Sequence, residues 1–260
     1  MAAIQALQTA LDALRRNPVL FLGGLILGAI LLPQSALQLL QVPLAPFALQ
    51  VVTFFVTPFV VAGLVGMADE SLAGSTRLGT LTAVGRDRYV PLLLGNFVQL
   101  AIFVVFGVAF VIVAVVWAVT MGASAAGGLT PGAIGAGAVL GVLLVVGLLV
   151  LVLIVVMFFI QFFAVAIVVD EEGPIEGFSA SFGLVRRNLL STLGYSIINF
   201  VVAVVATAPV SGFVLYRTFS NINAAAPGQP PAAMLGFSAA EVAAISIISL
   251  ALTMLLGTFQ

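Results

Sequence analysis

The sequence predicts an all-α integral membrane protein with six transmembrane helices, built from three repeats of a surface amphipathic helix followed by two spans. Three observations support this prediction. First, 63% of the 260 residues are hydrophobic and only 7% are charged, whereas a soluble domain carries about 25% charged residues. Second, six apolar windows are long enough to cross a bilayer. Third, the arginines cluster between alternate windows.

The six windows cover approximately residues 18–40, 47–67, 90–121, 137–169, 193–216 and 235–259. A helix needs about 20 mostly apolar residues to cross a hydrocarbon core about 30 Å thick. These runs are longer than globular strands and lack the alternation of barrel strands, which favours helices. Pro33, Pro58 and Pro209 predict kinks in three of the windows. The fourth window is an unbroken apolar run that, like the third, exceeds one bilayer thickness.

The distribution of arginine predicts the side of the membrane on which each connection lies. The connections around 41–46, 122–136 and 218–234 contain no charged residue. The arginines assigned to the opposite side are Arg15, Arg16, Arg77, Arg86, Arg88, Arg186 and Arg187. Because cytoplasmic loops carry the excess of basic residues, we expect a plasma-membrane protein with both termini and both charged connections in the cytoplasm. Arg217, at the edge of an uncharged loop, is the exception.

An internal repeat underlies the predicted architecture. At a fixed offset of 171, Arg15-Arg16-Asn17 recurs as Arg186-Arg187-Asn188, and Gly23 recurs as Gly194. Upstream of each triplet, apolar residues are spaced three, four and three apart, as on one face of a helix. Each copy therefore predicts an amphipathic helix on the cytoplasmic surface, and the segment before Gly95 is a weaker third copy. The units are approximately residues 1–70, 71–173 and 174–260, within one membrane domain of residues 1–260.

The most recognisable stretch is residues 169–188, Val-Asp-Glu-Glu-Gly-Pro-Ile-Glu-Gly-Phe-Ser-Ala-Ser-Phe-Gly-Leu-Val-Arg-Arg-Asn. It resembles a signature of uncharacterised prokaryotic multi-pass proteins that are similar to the membrane domain of some glycerophosphodiester phosphodiesterases. Ser181 and Asn188 fit that signature, while Gly177 stands where the family has alanine. The resemblance implies a membrane fold, but the phosphodiesterase activity of those relatives resides in a separate soluble domain. The lack of lysine is typical of a haloarchaeal member.

Composition also excludes several classes of function. Histidine, cysteine and lysine are all absent, which removes imidazole bases, thiolate nucleophiles and the usual zinc or haem ligands. We therefore expect no enzyme activity, no catalytic residue, no metal and no cofactor. The net charge of −1 gives no basic field, so we expect no nucleic-acid partner.

Three groups of residues are candidate functional sites. Arginines on the predicted surface helices are candidate contacts for anionic lipid headgroups, with topogenic anchoring as the alternative: Arg15, Arg16, Arg86, Arg88, Arg186 and Arg187. Polar residues early in the third and fifth spans form a candidate intramembrane polar cluster, with simple interhelical hydrogen bonding as the alternative: Asn96, Gln99, Tyr195 and Asn199. Arg217 and Glu241 form a candidate ion pair at the outer rim, with two separate snorkelling charges as the alternative.

Glycines are frequent in the windows and predict close contacts between helices rather than ligand sites. The residues concerned are Gly23, Gly24, Gly63, Gly66, Gly141 and Gly147.

Taken together, these features predict a non-enzymatic, membrane-organising or accessory component whose partner is the lipid bilayer. The alternative is a facilitator or channel for a lipid or a small neutral solute, which the repeat and the polar residues favour. An intramembrane enzyme is disfavoured because the spans contain neither paired carboxylates nor histidine.

Overall fold

A computed structural model of the chain describes residues 2–40, 42, 44–123, 136–224 and 237–256. Every regular element in those ranges is a helix. The helices are α1 (Ala2–Arg16), α2 (Val19–Leu39), α3 (Ala45–Ala73), α4 (Leu78–Asp87), α5 (Tyr89–Ala123), α6 (Ala136–Ile160), α7 (Phe163–Val168), α8 (Glu176–Arg187), α9 (Leu189–Ala224) and α10 (Ala239–Leu256). The predicted all-helical class is confirmed.

Five helical segments in the described ranges are long and apolar enough to cross a membrane: Val19–Leu39, Ala45–Ala73, Tyr89–Val119, Val139–Val168 and Leu189–Asn221. They coincide with the first five predicted windows. The sixth window contains a shorter apolar helix, of which Ala239–Met254 is the apolar part. The helices α2, α3 and α9 continue through Pro33, Pro58 and Pro209.

Local sequence explains where several helices begin and end. α10 starts with a capping box, in which the backbone N–H of Glu241 donates to Ser238 Oγ (3.3 Å) and Glu241 Oε2 accepts from the Ser238 N–H (2.9 Å). α8 carries Glu176 in its first turn and Arg186 and Arg187 in its last. That placement complements the helix dipole.

Buried side chains concentrate at the end of the bundle that carries α1, α4 and α8, which we call the short-helix end. One cluster joins α3, α5 and α7 through Ala62, Leu92, Phe163, Ile167 and Val168. A second cluster joins α1, α2, α3 and α4 through Leu14, Leu20, Met67 and Leu81. By contrast, the most apolar stretches of α5, of α6–α7 and of α9 contain no buried residue. The folded core is therefore at one end.

The short helices α4 and α8 run back along the long helix that precedes each of them. A Cβ on Gly85 would lie 2.7 Å from the carbonyl oxygen of Phe59 in α3, and a Cβ on Gly177 would lie 2.6 Å from Cγ1 of Ile167 in α7. Leu14 and Val185, equivalent at the 171-residue offset, are only 6% and 0% exposed. The last apolar residue of each of these two predicted amphipathic helices is therefore buried against protein.

The fourth window forms one segment of membrane-spanning length, Val139–Val168, but its α-helix is interrupted near the end. α6 ends at Ile160 and α7 begins at Phe163. The hydroxyl of Ser181 in α8 donates to the carbonyl oxygen of Phe159 (2.9 Å) and accepts from the Phe162 N–H (3.1 Å). A side chain that enters the hydrogen-bond ladder in this way breaks a helix, and apolarity alone gives no sign of it.

The predicted glycine contacts are correct for the first hairpin and wrong for the second. A Cβ on Gly24 would lie 2.5 Å from the carbonyl oxygen of Met254, and one on Gly66 would lie 2.7 Å from Val84. A Cβ on Gly23 would be similarly close to α3, and a Cβ on Gly63 would be similarly close to α4. Among the described residues, nothing lies within 4 Å of such a Cβ at Gly141 or Gly147.

Candidate functional site

Asn17 connects the α1–α2 junction to the loop between α3 and α4. Its side chain is 3% exposed. Nδ2 donates to the carbonyl oxygens of Ala13 (3.1 Å) and Gly74 (3.1 Å), and Oδ1 accepts from the N–H of Thr76 (3.0 Å). The amide is therefore satisfied by protein and fixes the loop in place. The hydroxyls of Thr76 and Thr80 in turn both donate to Glu70 Oε2 at the end of α3.

Arg88 makes the corresponding connection one unit later. Its side chain is 18% exposed, lies 3.2 Å from Asp87 and pairs with Glu171 in the α7–α8 loop. Glu171 has a positive φ of 60°, which is uncommon for a residue other than glycine. The α1–α2 junction thus holds the α3–α4 loop, and the α4–α5 junction holds the α7–α8 loop. In both places, the start of a helical hairpin contacts the loop that follows the end of the same hairpin.

The other predicted headgroup contacts lie on the surface. Arg15, Arg16, Arg86, Arg186 and Arg187 are exposed. Arg15 lies 3.9 Å from Asp12, and both side chains are mostly exposed. These guanidinium groups are exposed at the short-helix end, whereas the charge of Arg88 is largely buried and is balanced by two carboxylates.

The predicted intramembrane polar cluster divides between two places. Asn96 and Gln99 are half-buried on α5, and Asn199 is half-buried on α9. The ring of Tyr195 packs on Phe162 with centroids 5.6 Å apart. No hydrogen bond between the α5 pair and the α9 pair is found in the described part of the chain. The interhelical bond in this region runs instead from Ser196 Oγ to Gln161 Oε1 (3.1 Å).

Arg217 on α9 and Glu241 on α10 lie together. Arg217 Nε is 2.6 Å from Glu241 Oε1, with the side chains 32% and 22% exposed. Arg217 Nε is buried and makes no hydrogen bond within the described part of the chain. We regard the contact as an ion pair because charge attraction depends on distance more than on direction.

Sequence analysis missed a polar group between α2 and α3 at the opposite end of the bundle, the loop end. Gln34 on α2 donates to Gln50 on α3. The one proton of the Thr53 hydroxyl has two acceptors within reach, the backbone carbonyl oxygen of Gln50 (3.1 Å) and Gln34 Oε1 (3.4 Å). The available signal was four glutamines at positions 34, 38, 41 and 50 around a hairpin of otherwise apolar residues. Polar side chains of this kind join helices inside lipid.

Three open clefts border α2. The first, of about 470 Å³, lies beside Gln34, Gln38 and Gln50 at the loop end. The second, of about 390 Å³, lies between α2, α9 and α10. The third, of about 400 Å³, lies between α2, α3 and α6–α7 and has Asp69 and Gln161 in an otherwise mainly apolar wall. Each is within the size range of small-ligand pockets.

These features define a helical protein that has, in its described ranges, five segments of membrane-spanning length and buried apolar clusters at one end. Among the described residues, no group of three or more His, Cys, Asp or Glu side chains is placed to hold a metal ion.

A family model matches residues 1–260, and the chain belongs to that family, the domain of unknown function DUF7847. No curated protein and no solved structure matches the chain. The match provides no link to the phosphodiesterase-associated membrane domain, so that resemblance stays a prediction.

Proposed function

We propose that this chain is a non-enzymatic multi-pass membrane protein that organises the surrounding membrane or serves as an accessory component of a larger membrane assembly. The observation that supports this most is the exposure of α5, α6 and α9. Val105, Leu144 and Val205 are 68%, 73% and 67% exposed. Because contiguous apolar surface of this kind is not left in water, lipid tails or the helices of partner proteins must cover it.

Site-specific photocrosslinking in native membranes tests this proposal. A photoreactive residue at Leu144 or Val205 should yield adducts with a polypeptide if the protein is an accessory component. A membrane-organising role predicts lipid adducts and an altered lipid composition in a deletion strain. Lipid adducts alone, with unchanged lipid composition and unchanged growth under osmotic and salt stress in the deletion strain, would contradict both roles.

We propose further that α10 provides a sixth span and that both termini and both charged connections are cytoplasmic. The close approach of α10 to α2 at Gly24 and Gly28 supports this. The chain has no cysteine, so single introduced cysteines can report sidedness. Thr9→Cys and Ser179→Cys, both exposed, should react with an impermeant maleimide only from the cytoplasmic side, and Ser220→Cys only from the other. Labelling of Thr9→Cys and Ser179→Cys from opposite sides would exclude this topology.

The three-unit repeat of amphipathic helix plus two spans is also a proposal, and local hydrogen bonds support two of its copies. Arg16 Nε donates to the Asp12 carbonyl and Arg187 Nε to the Gly183 carbonyl, each at 3.2 Å. Both pairs are equivalent at the 171-residue offset. A solved structure in which α1–α2 and α8–α9 do not superpose would refute the repeat.

Binding of anionic lipid at the exposed arginines is part of the same proposal, at about 1 kcal/mol per basic residue. Native mass spectrometry should show less retained phosphatidylglycerol for Arg186→Gln/Arg187→Gln than for the unaltered protein. Equal retention would favour a purely topogenic role.

The second candidate function is a facilitator for a lipid or a small neutral solute. The half-buried polar residues Asn96, Gln99 and Asn199 and the polar clefts beside α2 favour it, since polar groups inside apolar helices usually have a role. In proteoliposomes, a solute-specific flux should be lost in Asn199→Leu and kept in Thr207→Val, whose hydroxyl bonds its own helix at Ala203 (2.7 Å). Absence of flux for all tested neutral solutes would exclude this function.

Relationship to the phosphodiesterase-associated membrane domains and a haloarchaeal source remain proposals supported by residues 169–188 and by the lack of lysine. A salt-adapted protein should gain stability between low and molar KCl, and a salt-independent unfolding midpoint would contradict that source.

A further inference from the structure

The cleft between α2, α9 and α10 contains a polar group that has no partner. Ser246 lies on α10, is 7% exposed and lines the cleft. Its Oγ has no hydrogen-bond partner within the part of the chain that the structure describes. A serine in a helix usually bonds the carbonyl one turn earlier, as Thr253 does with Ser249 (2.8 Å). A buried hydroxyl without a partner is costly and indicates that something else binds there.

The remaining wall of the cleft determines what that partner can be. Its other polar side chains are all uncharged: Ser35, Gln38, Thr218 and Ser249. The hydroxyl of Ser35 donates to the Leu32 carbonyl (2.9 Å), which leaves its oxygen as an acceptor. The other lining residues are apolar, and Val210, Val214 and Phe237 are among them. The nearest cation, Arg217, is already paired with Glu241 at 2.6 Å.

We propose that this cleft binds a neutral, hydroxyl-bearing group, such as the glycerol moiety of a membrane lipid or a free polyol. A hydroxyl both donates and accepts, and so matches a wall of serine and threonine hydroxyls. An anion would require a free cation and a metal ion would require carboxylates, and the cleft wall has neither. The volume of about 390 Å³ exceeds that of a single water, about 30 Å³ in the liquid. The inference concerns binding and goes beyond the proposed accessory role.

A single cysteine in the cleft provides a direct test. Ser246→Cys replaces oxygen by sulfur in a chain without cysteine, and its alkylation by N-ethylmaleimide can be timed in nanodiscs. In phosphatidylcholine discs, glycerol or sorbitol should slow the reaction at least threefold if the source is a free polyol. Discs of phosphatidylglycerol should slow it relative to discs of phosphatidylserine, which is also anionic but lacks the glycerol headgroup, if the source is a lipid.

The matched control is Ile247→Cys, the next residue on α10, which is 67% exposed and does not line the cleft. Its labelling rate should be the same under all four conditions. If Ser246→Cys does not fold, Ser249→Cys reports on the same cleft. Ser246→Ala should weaken retention of the protecting compound about threefold to tenfold, as expected for one hydrogen bond. Equal labelling with and without polyol and in both anionic lipids would overturn the proposal and leave water as the partner of Ser246.

Discussion

The α2–α3 and α5–α6 hairpins differ in how much of each is buried, and the difference is opposite to the one that their apolarity alone would predict. The most apolar stretches of α2 and α3 have a mean hydropathy of 2.0 and 2.2 and are 22% and 39% buried, whereas those of α5 and α6–α7 reach 3.1 and 3.6 and contain no buried residue. The less apolar hairpin is thus the packed one. In lipid, apolar side chains gain nothing by leaving the solvent, so close contacts depend on small and polar residues.

Glycine shows the same contrast at the level of single residues. Gly24 and Gly63 allow backbone atoms of α10 and α4 to approach, while Gly107, Gly141 and Gly147 have open space around them.

Gly63→Leu should destabilise the protein by about 3 kcal/mol, because the new side chain meets the backbone carbonyl and side chain of Leu81 and overpacks the α3–α4 contact. Gly147→Leu is the matched control, and we expect a change within about 0.5 kcal/mol. Unfolding in an SDS titration of the reconstituted protein measures both. Equal losses at the two positions would mean that the α5–α6 hairpin is packed after all.

Asn17→Ala should cost about 2 kcal/mol, because the carbonyl of Gly74 and the N–H of Thr76 lose their partner at a site that is 3% exposed. Its counterpart in the second Arg-Arg-Asn triplet, Asn188, is exposed and bonds the Leu184 carbonyl of its own helix (3.0 Å). Asn188→Ala should therefore change stability by less than about 0.5 kcal/mol. Thermal unfolding in detergent compares the pair, and similar losses would show that the triplets are equivalent in role.

Ser181→Ala should cost about 1–2 kcal/mol, because the Phe162 N–H and the Phe159 carbonyl lose the hydroxyl that bonds both. Ser179→Ala, on an exposed position of the same helix, should be nearly neutral. Hydrogen exchange adds a local measurement, since the amide of Phe162 should exchange faster in Ser181→Ala only. Unchanged exchange at Phe162 would show that the α6–α7 break does not depend on this serine.

Most of the fold could be predicted because it depends on composition and length. Hydrocarbon requires backbone hydrogen bonds to be satisfied within each span, so apolar runs give helices whatever their neighbours are. The break between α6 and α7 could not be predicted, since it depends on Ser181, which lies twenty residues further along the chain and contacts the break only in the folded protein.

The candidate sites likewise divide into those that the sequence indicates and those that depend on contacts in the folded protein. The sequence offers Arg217 and Glu241 as a candidate pair because they are rare charges on the same side of adjacent spans, although it leaves two separate snorkelling charges as the alternative. Asn96 and Asn199 share a predicted depth in the membrane. Depth alone does not determine which face of a helix contacts a neighbour, so it does not predict whether the two residues meet. Ser246 gave no signal in the sequence, because a serine in an apolar helix usually bonds its own backbone.

The smallest expected effect concerns α9 and α10, whose packing is intermediate between that of the α2–α3 hairpin and that of the α5–α6 hairpin. A double-mutant cycle on Arg217 and Glu241 should give a coupling of about 1 kcal/mol, the upper end for partly exposed pairs, since both side chains are mostly shielded. The pair of Arg15 and Asp12, with side chains 80% and 67% exposed and 3.9 Å apart, should give less than about 0.3 kcal/mol. Each single charge removal leaves a partly buried partner uncompensated, and the charge-reversed double variant Arg217→Glu/Glu241→Arg should recover part of that loss. If the reversed variant recovers nothing, the two charges act independently, and α9 belongs with α5 and α6 among the helices that lipid rather than protein covers.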